Sequence, residues 1–442
     1  MKKHIVVIGG GLAGSAAAYS LTSQGYDVTI LERNGYIGGR VRSIHADGTA
    51  FETGAGFLKN IYTSIFTFLD DNHMKSKLYR QQGSSGILRE GTVRMTAIPT
   101  LLGNSTLSWP AKFLALKLLA KVTGNWQNFD IHSLWRAIDY DTRTVAEMFE
   151  SRAGQELLEY AVQPVLNGYL YWNPEHTSEA MLLIIAKAFM QDRTTYKLIG
   201  GLQQIPEQAA STSQILLNHK VQTVRKKPGQ AYEITAAHQG KTVIIAANGI
   251  VCATTASVVP HIIPSLNREQ LAFFKSVQYS STALLAQIYE QSQAKGDKGI
   301  GFPRNQGTHL AAATISPEPG PLQPAGRSAL KIYASGQYGK SYVAKKDDVL
   351  AADLLSQFSA VRDSMLLPTA KPLSAHIQRW PEALPFFDVG HFQRLRSFED
   401  GKIESSDPGL VFAGDYLGGP LMEGAFTSGL RAAERLHNHL AA

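Results

Sequence analysis

The chain opens on a short unbroken apolar run, His4-Ile5-Val6-Val7-Ile8, bounded by lysines before it and a glycine cluster after it. Unbroken rather than alternating apolar positions are what a parallel strand covered on both faces requires. The small-residue stretch Ser15–Leu21 predicts a helix, Gly25-Tyr26-Asp27 closes it, and Val28-Thr29-Ile30-Leu31 predicts a second buried strand. Far downstream, Gly409-Leu410-Val411-Phe412-Ala413 repeats the buried-strand pattern, and Met422–Ala433 predicts a helix of small residues. Between these ends the periodicity changes twice. Residues 96–195 carry long apolar-periodic stretches with prolines at their edges and predict a mainly helical region. Residues 76–95 and 266–394 alternate apolar and polar positions, as a half-buried antiparallel sheet does.

Length and composition narrow the classes. A chain of 442 residues exceeds a single compact core, so two or three domains are expected. With 44% hydrophobic and 18% charged residues the composition is that of a soluble globular protein. The net charge of +7 is spread along the chain without a Lys/Arg run, which argues against nucleic acid and leaves anionic substrates or an anionic membrane surface as partners for a mild basic excess. A single cysteine excludes an intramolecular disulfide and any cysteine-based metal cluster, and suits the cytoplasm. The 13 histidines are scattered without zinc-ligand spacing, so no metal is expected. The basic-then-apolar start resembles a signal peptide only as far as Ile8, where glycines replace the continuing apolar run, and a buried first strand explains it better. No stretch reaches the roughly 18 to 20 apolar residues that span a bilayer.

The chemistry begins at Gly9-Gly10-Gly11-Leu12-Ala13-Gly14, a G-x-G-x-x-G pattern between the first strand and the first helix. Gly9 allows the tight turn, Gly11 lets a pyrophosphate approach the backbone, and Gly14 lets helix and strand pack closely. The helix start then offers unpaired N–H groups and its positive dipole end to the phosphates. The second strand ends in Glu32, 18 residues after Gly14, where an acid accepts hydrogen bonds from both adenosine ribose hydroxyls. Strand, glycines, helix, strand and acid in this order predict a dinucleotide site.

A second glycine pair selects among dinucleotides. Arg33-Asn34-Gly35-Tyr36-Ile37-Gly38-Gly39-Arg40 puts backbone amides and a guanidinium where a further stretch of pyrophosphate would be neutralised. This segment resembles the G-G-R stretch of flavin amine oxidases, phytoene desaturases and protoporphyrinogen oxidases. Ala413-Gly414-Asp415-Tyr416 and the helix from Met422 resemble the family's closing flavin segment, whose helix dipole faces the pyrimidine ring. Tyr196–Leu202, Ile215–Val221 and Val243–Thr255 resemble the strands and turn that return to the cofactor domain in mid-chain. The resemblance implies noncovalent FAD held by Gly9, Gly11, Leu12, Ala13, Gly14, Glu32, Arg33, Gly38, Gly39, Arg40, Val221, Gly414, Asp415, Met422 and Ala425. Asp415 would meet the ribityl and phosphate region, and the Val221 backbone would meet the adenine.

The expected fold is therefore α/β, a Rossmann-type FAD-binding domain with a mixed-sheet substrate domain and a helical subdomain. Its FAD-binding domain is discontinuous, over residues 1–75, 196–265 and 395–442. The substrate domain takes 76–95 and 266–394, and the helical subdomain 96–195. Two departures from ordinary amine oxidases stand out: a leucine on Tyr279–Ala286 where their lysine falls, and Leu421 where their second substrate-facing aromatic ring falls. Gly299-Ile300-Gly301-Phe302-Pro303 and Trp380–His391 resemble protoporphyrinogen oxidases instead. No catalytic side chain is assigned. The cavity candidates are Trp380, Phe386, Phe387, His391, Tyr416 and Leu421, each of which has a packing role as its bland alternative. Cys252 falls on a cofactor-domain strand and reads as a small buried residue rather than a flavin attachment point.

The implied activity is two-electron dehydrogenation of a flat apolar small molecule at a C–N or conjugated C–C bond, such as a cyclic amine, pyrroline or porphyrinogen. Dioxygen, a quinone or a protein carrier is the expected electron acceptor. Ordinary amine oxidation, a redox-neutral isomerase and a flavin-free chaperone of prenylated proteins are the rivals. Trp109–Lys121 is basic and amphipathic. A core helix is its preferred reading, and peripheral contact with a membrane its alternative.

Overall fold

In the computed structural model the described residues are 2–96, 107–192, 194–229, 231–290, 296–317, 327–365, 371–399 and 407–442. The first strand, His4–Ile8, lies at the centre of a five-stranded parallel sheet. Asp27–Leu31 and then Gln214–Leu216 pair on one side, and Gly249–Cys252 and Leu410–Phe412 on the other. Period-two alternation divides the central strand between two cores. Ile5 and Val7 pack with Ala13, Ala17 and Ala433 of the two long helices. Val6 and Ile8 join the cluster that includes Ile234, Ala236 and Ala247 of a three-stranded antiparallel sheet, Lys220–Lys226, Tyr232–His238 and Lys241–Ala247.

Small residues set the helix spacing. The helix Leu12–Ser23 runs against the C-terminal helix Met422–Ala441, and a Cβ on Gly429 would collide with the Ala13 carbonyl. Any larger residue there would separate the two helices and lift the first one from the sheet.

The second sheet has seven strands in the order Ser374–Trp380, Thr282–Tyr289, Ser328–Ala334, Leu310–Pro317, Asp297–Gly301, Gly83–Arg89, Thr92–Thr96. Its pairing departs from the expected antiparallel pattern at one place. Asp297–Gly301 and Gly83–Arg89 run parallel, because a strand from early in the chain completes a sheet built mostly from residues past 280. Among the helices that interrupt the stretch predicted as sheet are Gly339–Ala344 and Asp347–Phe358. They cover it: Leu350, Leu354 and Phe358 share a core with Leu285, Ile315 and Ile332. Alternation along the strands predicted a half-buried sheet, but Thr282–Tyr289 is buried along its whole length, because Leu284, Ala286 and Ile288 on its other face pack with Phe51.

The described part of 107–192 is helical, with Trp109–Gly124, Arg152–Leu157, Gln163–Leu170 and Glu179–Gln191 as its main helices. The first of these differs from the expected core helix. It buries Ala111, Lys112, Ala115 and Val122 but leaves Trp109 71% and Phe113 59% exposed. No helix among the described residues is long and apolar enough to cross a membrane.

Candidate cofactor and substrate site

A cavity of about 890 Å³ runs between the parallel sheet, the seven-stranded sheet and the helical region. Its middle is the glycine turn. Gly9, at φ +104°, donates to Leu31 O at 2.9 Å, and Gly38 donates to Gly10 O at 2.8 Å, so the two glycine segments lie side by side. A Cβ on Gly39 would lie 3.2 Å from the Gly11 Cα, whereas one on Gly11 would meet no protein atom within 4 Å and would project into open space. That is the cradle a pyrophosphate needs. Glu32, 5% exposed, accepts from Gly10 N at 2.7 Å and from Asn34 N at 2.8 Å. A carboxylate has about four acceptor positions, so capacity for ribose hydroxyls remains.

Arg40 lines the cavity beside the glycine turn. Its guanidinium forms a two-pronged pair with Asp415, at 2.7 and 2.9 Å, and donates to Ala383 O at 2.9 Å. The pair joins the glycine loop, the C-terminal segment and the wall carried by the seven-stranded sheet. Burial opposes the Arg40 charge, and Asp415 more than offsets it, raising the guanidinium further. Tyr279, 5.8 Å from Arg40, is raised well above the usual phenol range by burial and then by Asp415, and stays neutral.

The C-terminal helix begins at Met422 with an extended Leu421 at its N-cap and no side-chain cap. Met422, Gly424 and Ala425 of its first turn line the cavity. Glu423 turns the other way: fully buried, it accepts from Ser64 N at 2.7 Å and Ile65 N at 3.1 Å and so caps the helix Thr63–Asp71. The uncapped helix start thus brings its positive dipole end to the cavity. Gly418 and Gly424 touch backbone to backbone, and a Cβ on either would collide with the other's carbonyl.

Of the fifteen cofactor candidates, Gly14 alone does not line this cavity; it packs beneath the turn. Of the substrate candidates, Trp380 and Leu421 line it, and Trp380 Nε1 donates to Thr53 O at 2.7 Å. Phe386, Phe387, His391 and Tyr416 are not among the lining residues. They pack behind the wall in an aromatic cluster, with Phe387 4.6 Å from His391 and 5.9 Å from Trp172. Cys252 is buried in its strand, and burial pushes its thiol up to about 11. The residues that close the far end were not singled out: Gly54-Ala55-Gly56-Phe57, Lys59, Tyr62, Tyr169, Tyr171 and Phe189. Only the glycine pair Gly54 and Gly56, directly after a strand, offered a signal. Tyr171 ends the helix Gln163–Leu170 in the left-handed region at φ +57°, an uncommon conformation for a bulky residue that turns the chain into the cavity wall.

His391 carries a pH prediction. Its Nε2 donates to Tyr416 O at 3.2 Å, and burial, then the Arg394 charge, push its pKa down to about 3 from an ordinary 6.5. Between those values the unfolded chain binds a proton that the folded one refuses. Its stabilising contribution is therefore complete above pH 6.5 and declines as the pH falls towards 3. From pH 7 to pH 5 the loss is expected to be about 2 kcal/mol. Urea unfolding at both pH values should show it in the wild type and much less of it in His391→Gln. Equal pH dependence in the two proteins would mean that the ring titrates normally.

The parallel sheet with its glycine turn, terminal acid and facing helix start defines a dinucleotide-binding protein with a second, mixed-sheet wall. The chain belongs to the family described as flavin containing amine oxidoreductase, whose sequence model matches residues 12–437. It is 22% identical to protoporphyrinogen oxidase 2, chloroplastic/mitochondrial, of Arabidopsis thaliana, over 99% of this chain and 94% of the relative. It is also 22% identical to coproporphyrinogen III oxidase of Bacillus subtilis, over 93% of each chain. A crystal structure of a putative protoporphyrinogen oxidase from Exiguobacterium sp. 255-15 superposes with a TM-score of 0.78 at 19% identity, covering 99% of both chains. The protein is a flavin-dependent oxidoreductase of this family, acting on small molecules.

Proposed function

We propose that the protein binds FAD noncovalently and dehydrogenates a flat, mostly apolar molecule at a C–N or conjugated C–C bond, as in a cyclic amine, pyrroline or porphyrinogen. The observation that carries this reading is one continuous cavity with a phosphate cradle in its middle and an aromatic chamber at one end. Glu32 would take the ribose hydroxyls, the glycine pairs the pyrophosphate, and Asp415, held by Arg40, the ribityl region. Bound there, FAD supplies the two-electron acceptor.

The chain's own residues would do the rest by positioning and by excluding water. Trp380, anchored to Thr53, and Leu421 would flank the reacting bond. Tyr169, Tyr171 and Phe189 would hold the apolar body. Leu421 in place of a second aromatic ring speaks for a broad substrate rather than a small amine clasped between two rings. The names of the two curated relatives, both porphyrinogen oxidases, point the same way. Dioxygen, a quinone or a protein carrier would take the electrons.

Anaerobic mixing of the purified protein with cyclic amines, pyrrolines and porphyrinogens tests this through the flavin absorbance near about 450 nm. One class is expected to bleach the band within a turnover. A yellow protein that no class bleaches, yet that turns over without any oxidant, would replace dehydrogenation by a redox-neutral reaction. A colourless protein that takes up no FAD would overturn the proposal.

A further inference from the structure

A second, smaller cavity of about 270 Å³ adjoins the cofactor cavity, and Leu134 and Gly418 line both. Its rim is half-buried and polar: His132, Ser133 and Arg431, with the Trp135 ring beside them. Arg431 Nη1 donates to His132 O at 3.3 Å, which ties the rim to the C-terminal helix. Its floor is buried and apolar, made of Leu134, Leu395, Leu417 and the Gly418 backbone. What parts the two cavities is therefore one leucine side chain and a glycine strap. Gly419, at φ +109°, continues that strap on the cofactor side, and a Cβ on it would lie 3.4 Å from Leu134 Cδ1. The aromatic chamber has its own contact with solvent at Tyr169, which lines it and is 47% exposed.

We propose that dioxygen reaches the reduced cofactor through this second cavity, with the Leu134 side chain as the gate between the two. This rests on the reading that the larger cavity holds FAD and that its aromatic chamber holds the substrate. An apolar floor is costly for an ion or a hydrogen-bonding molecule to cross, and it sets no such barrier to a neutral diatomic. A turn of Leu134 about its side-chain bonds opens a gap of that size, whereas a quinone ring needs the glycine strap itself to move. The strap is held in place: Gly418 and Gly424 touch backbone to backbone, and Gly419 N donates to Asp415 O at 2.7 Å. Among a quinone, a protein carrier and dioxygen, this path therefore admits dioxygen. Dioxygen would take two electrons and two protons from the reduced cofactor and leave as hydrogen peroxide, restoring the oxidised form. A path apart from the chamber lets it arrive while product still fills the substrate site.

The chain's one cysteine, Cys252, is buried with its thiol pushed up to about 11, so a cysteine introduced elsewhere can be labelled selectively. Leu134→Cys and Leu395→Cys, each loaded with FAD, are treated with a small anionic methanethiosulfonate, and the added mass is read. Both are expected to label with FAD bound, because the reagent arrives by the smaller cavity. Labelling of Leu134→Cys that FAD abolishes would mean that this position is reached from the cofactor side alone, and would overturn the proposal. So would a Leu395→Cys protein that never labels, since its side chain lines the smaller cavity and not the larger. Photoreduced, FAD-loaded protein mixed with dioxygen supplies a second readout that needs no substrate. Per bound flavin, Leu134→Phe should slow reoxidation about tenfold, and Leu134→Ala should quicken it. Equal rates in both variants and the wild type would overturn the route as well. A yellow protein that fails these tests loses the route alone, whereas a colourless protein that takes up no FAD loses the reading beneath it.

Discussion

Gly14→Val is expected to yield a protein that takes up no flavin. The position has no room: a Cβ there would overlap the Gly9 carbonyl and lie 3.2 Å from the Ala253 Cβ. Gly9 cannot give way, because at φ +104° its own side is closed by the Ala253 carbonyl, 2.7 Å from where a Cβ would be. Overfilling a packed site costs about 1–3 kcal/mol even when neighbours yield. Here the only relief is to move the helix start off the sheet, which disperses the N–H groups that would face the pyrophosphate. Gly11→Ala is the matching control. Its Cβ meets no protein atom, so the fold should remain, while the methyl group occupies the space of the phosphates. The flavin-to-protein absorbance ratio and circular dichroism separate the two. Gly14→Val should lose flavin together with part of its cooperative unfolding, and Gly11→Ala should lose affinity alone. A Gly14→Val protein as yellow as the wild type would mean that the turn does not hold the cofactor.

The second large effect is expected at Arg40→Met. Asp415 is only 6% exposed at its side chain, and Arg40 supplies both of its charged contacts. Removing one member of such a pair leaves an uncompensated carboxylate and costs about 3–5 kcal/mol. Arg40 is 30% exposed towards the cavity, which admits water, so the lower end, about 3 kcal/mol, is expected. The lost bond to Ala383 O also unties the seven-stranded sheet from the glycine loop. Chemical denaturation of the flavin-free protein should show the deficit, and flavin affinity should fall as well. Adding Asp415→Leu should recover part of the stability but none of the affinity. If Arg40→Met unfolds with wild-type stability, the pair is not holding the site together.

Local patterning was enough for the first 32 residues, and for a physical reason. The turn, the helix and the terminal acid are dictated by steric and hydrogen-bonding needs among close neighbours. The observed strands His4–Ile8 and Asp27–Leu31, the helix between them, and Glu32 reaching back to Gly10 are all consequences of that short stretch. The aromatic end was poorly legible. Phe387, His391 and Tyr416 have the composition of a substrate pocket, yet they face the core. The residues that do face the cavity, Tyr169, Tyr171 and Phe189, lie in a helical region whose periodicity reports burial but not whether the buried face meets protein or ligand.

The amino-acid sequence by itself determined the family, the dinucleotide motif and which segments form the parallel strands, because each rests on motifs read over a few tens of residues. Tertiary structure decided the partnerships. Arg40 meets Asp415 across 375 positions, Glu423 caps a helix 359 positions earlier, and Lys59 lies over Phe189 in the chamber wall. Such contacts depend on which face each element turns inward, and that is settled only when sheets and helices pack against one another.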